Sequence, residues 1–375
     1  MNKCVHIERL FKGQPIISPT ESWWESGVTF NTAAVFLEPV DTNLVALGAL
    51  LGESSFDRFP DGVVALHYRA RPKLDPGFPW TRSFVGLSIH LPDLTPIKRF
   101  ESFVLGPGGI LLGADDQGVE DPRITWLDGK WWMFYCGVSL TGDQHPANMW
   151  IGSICAASSD DLLHWQKHGP VTGEDPSFAT SSSLATISNK DGVMFPDRID
   201  GKAVLLHRPM DGDIGTWGIN IATADRPEGP YSDLGQVRAA MAFEGYQQSW
   251  AGAGSVPIRV RPGLYLSIEH TGNYIAGQKR KYVLDAFLYD FNHWNPSKPE
   301  SLVVGRLDDM MRPETDFELY GSSPDSVGNV LFACGTYVHD GWLYIPYGGG
   351  DTCVLAARLR FDDLVALIET QAVCH

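Results

Sequence analysis

Apolar residues in this chain come in short runs that alternate with polar ones, and they seldom recur every three or four positions. Runs rich in Val, Ile, Tyr, Phe and Trp are broken every several residues by Asp-Gly, Pro-Gly or Gly-Gly. Such runs mark β-strands, and such dipeptides are the turns that fold neighbouring strands into hairpins. Helical periodicity is hard to find, so the pattern predicts a mostly β chain.

The runs also repeat in three phases, and a repeat of this kind decides the fold before any single element does. The first phase is a strand that opens on a small or polar residue: Phe30–Phe36, Glu120–Ile124, Met194–Ile199, Ala253–Ile258 and Leu331–Thr336. The second follows a turn, often Asp-Gly, and ends in polar residues: Leu66–Arg69, Met133–Cys136, Leu205–Arg208, Leu266–His270 and Tyr344–Tyr347. The third is a strand rich in small residues, in several copies running into an acidic turn, as in Val85–Leu94, Ile151–Leu162, Gly218–Ala224, Val283–Asp290 and Val354–Leu364. Five copies of one β-meander, roughly 60 to 90 residues apart, predict a five-bladed β-propeller, an all-β fold that spans residues 1–375 as one domain. Radial repetition leaves only short, protected sheet edges, whereas a β-sandwich would not need the repeat.

In a propeller the inner strands point the same way, so polar residues at equivalent strand ends meet at one mouth of the central channel. Asn31, Arg69, Asp121, His207, Arg208, Glu269, His270 and Asp351 fall at such positions. Each alone could satisfy turn backbone; together they predict a shared pocket.

Composition narrows what that pocket can serve. The 29 Lys and Arg against 45 Asp and Glu give a net charge of -16, the opposite of the balance needed to neutralise a phosphate backbone or an anionic membrane. Neither a nucleic acid nor a membrane is expected as partner. No window is long and apolar enough for a membrane span or a secretory signal, and the expected location is the cytoplasm. Six cysteines without a CxxC pair, and histidines without HxH or HExxH spacing, point to no metal and no other cofactor.

Three segments then carry a resemblance. Gly118–Ile124, containing Glu-Asp-Pro-Arg, Lys190–Lys202 followed by His207-Arg208-Pro209, and Gly252–Ile258 stand in the order found in glycoside hydrolase family 130, with a last match at Tyr347–Asp351. The resemblance implies a β-mannoside-cleaving enzyme on a five-bladed propeller. It implies that Asp121 is the general acid, thought in the phosphorylases to act through a hydroxyl of the bound sugar. Physically, a carboxyl at a strand end beside Arg123, walled by aromatic residues, can pass a proton to a glycosidic oxygen.

The nucleophile divides the readings. Lys190, His207 and Arg208 stand where the family motif has basic residues, which suit inorganic phosphate. Trp150, however, lies where phosphorylases tend to have Arg, and Glu269 where they commonly have an aromatic residue. A carboxylate there would repel phosphate and could activate water, so the expectation is inverting hydrolysis with Asp121 as acid and Glu269 as base. Glu244 is a second candidate base. Inverting phosphorolysis to mannose 1-phosphate is the alternative.

Aromatic faces stack on sugar C–H groups, and Trp23, Trp24, Trp80, Trp150, Trp217, Trp250 and Tyr274 lie in or near loops. The expected partner is therefore an oligosaccharide, with Asn31, Arg69, Arg123, Lys190, His207, Arg208, His270, Asp351 and Trp150 as binding residues and phosphate as a possible co-substrate. Two alternatives stay open: a lectin-like propeller, and a five-bladed glycosidase acting on arabinosides or fructosides. A lectin should repeat one sugar site on several blades, whereas these residues differ from blade to blade.

Overall fold

Strand follows strand through most of the chain, and a computed structural model places them in five small antiparallel sheets, the blades of a β-propeller. It describes residues 5–370 except 53–57, 74–81, 110–112, 141–149, 173–187, 211–213, 241–245, 276–279 and 324–325. A short strand, β1 (Glu8–Arg9), opens the chain. Blade 1 then holds β2 (Val28–Leu37), β3 (Val63–Arg71), β4 (Phe84–His90) and β5 (Pro96–Arg99). Blade 2 holds β6 (Gly118–Leu127), β7 (Lys130–Leu140), β8 (Trp150–Ser159) and β9 (Gln166–Pro170). Blade 3 holds β10 (Asn189–Met194), β11 (Ala203–Pro209), β12 (Ile219–Ala224) and β13 (Ser232–Arg238).

In the last two blades the inner edge is divided. Blade 4 comprises β14 (Tyr246–Gly252), β15 (Ile258–Arg261), β16 (Leu264–Ile275), β17 (Arg280–Asp290) and β18 (Val303–Met311), with both β14 and β15 paired to β16. Blade 5 comprises β19 (Leu331–Phe332), β20 (Tyr337–His339), β21 (Trp342–Gly349) and β22 (Cys353–Arg360). Its outer edge is completed by β1, with Glu8 opposite Arg358. The start and the end of the chain thus share one sheet, and an Arg358–Glu8 ion pair of 2.7 Å reinforces the junction.

The turns follow their sequences. Asp128-Gly129, Asp200-Gly201 and Asp340-Gly341 have positive φ at both residues, the conformation that matches the twist of the flanking strands. Between blades the sheets bury Val, Leu and Ile on both faces, as with Val63, Val85, Leu87, Met133 and Cys155 between blades 1 and 2.

Strand bounds depart from expectation in three copies. In blade 3 the inner strand is Asn189–Met194, earlier than Met194–Ile199, and in blades 4 and 5 the runs Ala253–Ile258 and Leu331–Thr336 are interrupted. The reason in blade 4 is visible: the carbonyls of Ala253 and Gly254 turn toward Arg123, which donates to them at 3.2 and 3.1 Å. The acidic run expected after the last strand is the first turn of a helix, α1 (Phe361–Thr370), which packs Leu364, Val365 and Ile368 against blades 4 and 5.

Candidate active site

One local device recurs on the inner strands of blades 1, 2 and 3. The pairing register shifts between Phe30 and Thr32, between Glu120 and Arg123, and between Lys190 and Val193. Asn31, Asp121 and Asp191 occupy these bulges with φ of 46, 52 and 58°. Asn and Asp tolerate left-handed backbone better than other side-chain-bearing residues, and a bulge re-aims a side chain and ends regular pairing. Here Asn31 and Asp121 meet across the channel mouth, the Asn31 amide donating to Asp121 Oδ1 at 2.8 Å.

Around this contact lie two linked charge clusters. Arg69, near the end of β3, donates to Asp121 Oδ1 at 3.2 Å and also to Glu120, while its Nε donates to Ser83 Oγ at 3.1 Å. Lys190 donates to the other Glu120 oxygen at 3.2 Å and lies 4.6 Å from the centre of the Trp150 ring. In the second cluster Asp191 accepts from Arg123 Nη2 at 3.2 Å, with Arg208 Nε at 3.1 Å and His270 Nε2 at 3.4 Å. Arg123 also donates to the Asp121 carbonyl at 2.9 Å, which ties the clusters together. Gly252 permits the second cluster to close: a Cβ there would lie 2.2 Å from His270 Nε2 and 2.3 Å from Asp191 Oδ2.

A cavity of about 250 Å³ opens beside these residues, lined by Arg69, Arg71, Gln117, Glu120, Val138, Leu140, Trp150 and Lys190. Asp351, in the turn between β21 and β22, lies within electrostatic reach of Arg69, Asp121, Arg71 and Arg280.

Burial opposes ionisation of Asp121, which is only 5% exposed, yet the charges of Arg69, Arg123 and Lys190 and the Asn31 amide outweigh it and hold its pKa below the ordinary value. Glu120 is held down in the same way, against burial, by Arg69 and Lys190. Asp191 is held far below the carboxylate range by Arg208, His270 and Arg123, again against burial. Asp351 goes the other way: burial prevails over its arginine neighbours and pushes it up to about 6. The His270 imidazole is pushed down, chiefly by burial.

Asn31, Arg69, Asp121, Arg123, Lys190, Arg208, His270, Asp351 and Trp150 therefore converge. His207 and Glu269 do not. His207 faces away from the channel, its Nδ1 3.1 Å from Asn189 Nδ2 and its Nε2 3.5 Å from Asp233. Glu269 is fully buried between blades 3 and 4, where Arg238 Nη1 donates to it at 2.6 Å and the Tyr289 hydroxyl supplies a second bond. Arg238 also holds Asp285 at 2.6 Å and Thr271 at 2.7 Å. A carboxylate so enclosed cannot activate a water at the mouth, and the expected base at Glu269 is corrected on that ground. Glu244 and Trp80 lie outside the described residues. Trp24 and Trp250 are buried in the core.

Sequence reasoning passed over Glu120, Asp191, Arg71 and Arg280. Asp191 had a signal: Lys190-Asp191 stands at the same phase as Phe30-Asn31 and Glu120-Asp121. Among the described residues, no group of three or more His, Cys, Asp or Glu is arranged to hold a metal ion.

Comparison with known proteins adds to this geometry. Residues 103–370 match the model of a family described as β-1,4-mannooligosaccharide phosphorylase. The 1,2-β-oligomannan phosphorylase of Thermoanaerobacter sp. (strain X514) is 28% identical over 364 residues, 96% of this chain and 99% of that protein. The structure of β-1,2-mannobiose phosphorylase from Listeria innocua in complex with β-1,2-mannobiose aligns with a TM-score of 0.68 at 20% identity, covering 97% of this chain and 99% of that one. A structure described with the words that the GH130 family of mannoside phosphorylases contains glycoside hydrolases that target β-1,2 mannosidic linkages in Candida mannan aligns with a TM-score of 0.69 at 21% identity, covering 95% of this chain and 94% of that one. At these identities the structural likeness speaks for the fold alone.

Proposed function

The chain belongs to glycoside hydrolase family 130, and from that premise we propose that it cleaves β-mannosides by inverting phosphorolysis, giving mannose 1-phosphate and a shortened acceptor. One observation carries the choice of phosphate over water. Among the described residues, six permanent cations, Arg69, Arg71, Arg123, Lys190, Arg208 and Arg280, stand around the mouth with four carboxylates, Glu120, Asp121, Asp191 and Asp351. The excess of two positive charges among these described residues, in a chain of net charge -16, matches the charge of the phosphate dianion they would receive. Clusters of fixed cations in a low-dielectric cleft are how proteins hold phosphate for reaction.

In this reading a phosphate oxygen attacks the anomeric carbon from the face opposite the glycosidic oxygen. The carbon–oxygen bond breaks, its electron pair stays on the leaving oxygen, and the proton comes from Asp121, directly or through a sugar hydroxyl. Before phosphate enters, the surrounding cations keep Asp121 ionised. A bound dianion cancels part of their field and lets the carboxyl take up a proton. The acid is then loaded only when the nucleophile is present, which disfavours wasteful attack by water. The names of the relatives, phosphorylases of β-1,2- and β-1,4-mannosides, support the same reaction class.

Hydrolysis is the second reading, favoured by Trp150 beside Lys190, where phosphorylases of the family tend to have Arg. Incubation with β-1,2- and β-1,4-manno-oligosaccharides, with and without inorganic phosphate, separates the two. Mannose 1-phosphate formed only when phosphate is present is the expected result. Free mannose released equally fast without phosphate would overturn the proposal.

A further inference from the structure

Glu120 faces the cavity beside Arg69, Arg71 and Lys190, and among the described residues it is the one acid in that lining. Its carboxylate is engaged on both sides. Oε1 accepts from Arg69 Nη2 and from Ser83 Oγ at 3.4 Å, and Oε2 accepts from Lys190 Nζ at 3.2 Å. The two cations are also held from behind, Arg69 at 4.8 Å from the centre of the Phe30 ring and Lys190 at 4.6 Å from that of Trp150. A carboxylate at the place where phosphate must bind weakens that binding, so its presence needs a compensating role.

The role is found one residue on. Arg69 spans both carboxylates, with Nη2 on Glu120 and Nη1 on Asp121 Oδ1 at 3.2 Å. Asp121 must be protonated to act as an acid, and every cation that faces it opposes this. Those cations are Arg69 on β3, Arg123 on its own strand and Lys190 on β10. Beyond Arg123 stand Asp191, Arg208 and His270. The acids that face Asp121 are Glu120 and Asp351, together with the thiols of Cys136 on β7 and Cys334 after β19, which burial keeps neutral. Two of the three cations are thus the two that Glu120 pairs.

We propose that Glu120 is a positioning residue that fixes Arg69 and Lys190 at the mouth and offsets their charge, so that phosphate binds less tightly than to the bare cations and Asp121 can still take up the proton it donates. The proposal rests on the phosphorolytic reading above for its anion and on Asp121 as the acid. Glu120 touches neither reacting atom; it divides the field of two cations between the nucleophile and the acid.

The test compares Glu120→Gln and Glu120→Asp with the parent. Binding of inorganic phosphate is measured by calorimetry without sugar, and the pH profile of kcat is measured on a β-mannobiose at saturating phosphate. Glu120→Gln keeps the shape and removes the charge. At about 6 Å and an effective dielectric of about 20 a unit charge is worth more than a factor of ten. Phosphate should therefore bind about tenfold more tightly, and the alkaline limb of kcat should move down by about one pH unit. Glu120→Asp retains the charge and should leave the limb near its parental position. Asp351, pushed up to about 6 by burial, titrates in parent and variants alike, so the difference between profiles isolates Glu120. Lys190→Gln should raise the limb, and adding Glu120→Gln should bring it back; this second pair strands no lysine and reads Glu120 even where Glu120→Gln alone does not fold. Phosphate affinity unchanged or lowered in Glu120→Gln, or a limb that Glu120→Gln moves in neither background, would overturn the proposal. The limb can be followed with either nucleophile, so free mannose released without phosphate would refute phosphorolysis and leave the effect of Glu120 on the acid readable.

Discussion

Asp351 offers a test in which sign and size both follow from position. It sits in the turn after β21 with a left-handed φ of 54°, partly buried behind the mouth. Burial raises its pKa from 3.8 to about 6, with Asp121 adding to the rise and Arg69, Arg71 and Arg280 opposing it. Between about pH 4 and 6 the folded protein thus holds a proton that the unfolded chain has released. The unfolded state binds fewer protons there, so stability falls as pH rises through this window and the full cost is present above pH 6. A rise of this size corresponds to about 3 kcal/mol, reduced toward about 2 because the side chain is partly hydrated. Asp351→Asn has nearly the same shape and no charge to desolvate. It should be more stable than the parent by about 2 kcal/mol at pH 7.5 and indistinguishable from it below pH 4. Urea denaturation from pH 4 to 8 measures this, in phosphate-free buffer because a bound anion would add its own stabilisation. A variant less stable than the parent at pH 7.5, or a difference that persists unchanged at pH 4, would refute the reasoning.

Two further substitutions address the reaction itself. Asp121→Asn keeps the hydrogen-bonding shape beside Asn31 and Arg69 and removes the proton donor, so turnover should fall about 10²–10⁴-fold with the melting transition preserved; retention of a tenth of the activity would make Asp121 a structural residue. Glu269→Gln removes one charge of a buried pair, a change that costs roughly 3–5 kcal/mol when the partner is stranded. Arg238 keeps Asp285 and Thr271, so the loss should lie near the lower figure, about 3 kcal/mol, while kcat stays within about tenfold. Abolished turnover at unchanged stability would instead put the carboxylate in the chemistry.

Much of this was legible in the chain. The Asp-Gly turns and the three-phase repeat follow from local backbone preference and the period-two alternation of strands, and both act within a few residues. Asn31 and Asp121 could be picked out together because a bulge that needs left-handed backbone favours the same two side chains each time. Asp191, at the same phase, is obscured because Met194–Ile199 reads as the inner strand of the third copy, whereas that strand is Asn189–Met194.

What the sequence could not reveal was which member of each adjacent polar pair faces the channel. In His207-Arg208 and Glu269-His270 one side chain joins the Asp191 cluster and the other turns to the opposite face of the sheet. In a half-solvated strand the apolar face would have marked the direction, but propeller blades are buried on both faces, so the alternation loses its polarity signal. The partner that claims Glu269 is Arg238, 31 residues away on the outer strand of the preceding blade. Only the packing of blade 3 on blade 4 brings that guanidinium within reach, and with it a residue that reads as a catalytic base becomes the anion of a buried structural pair.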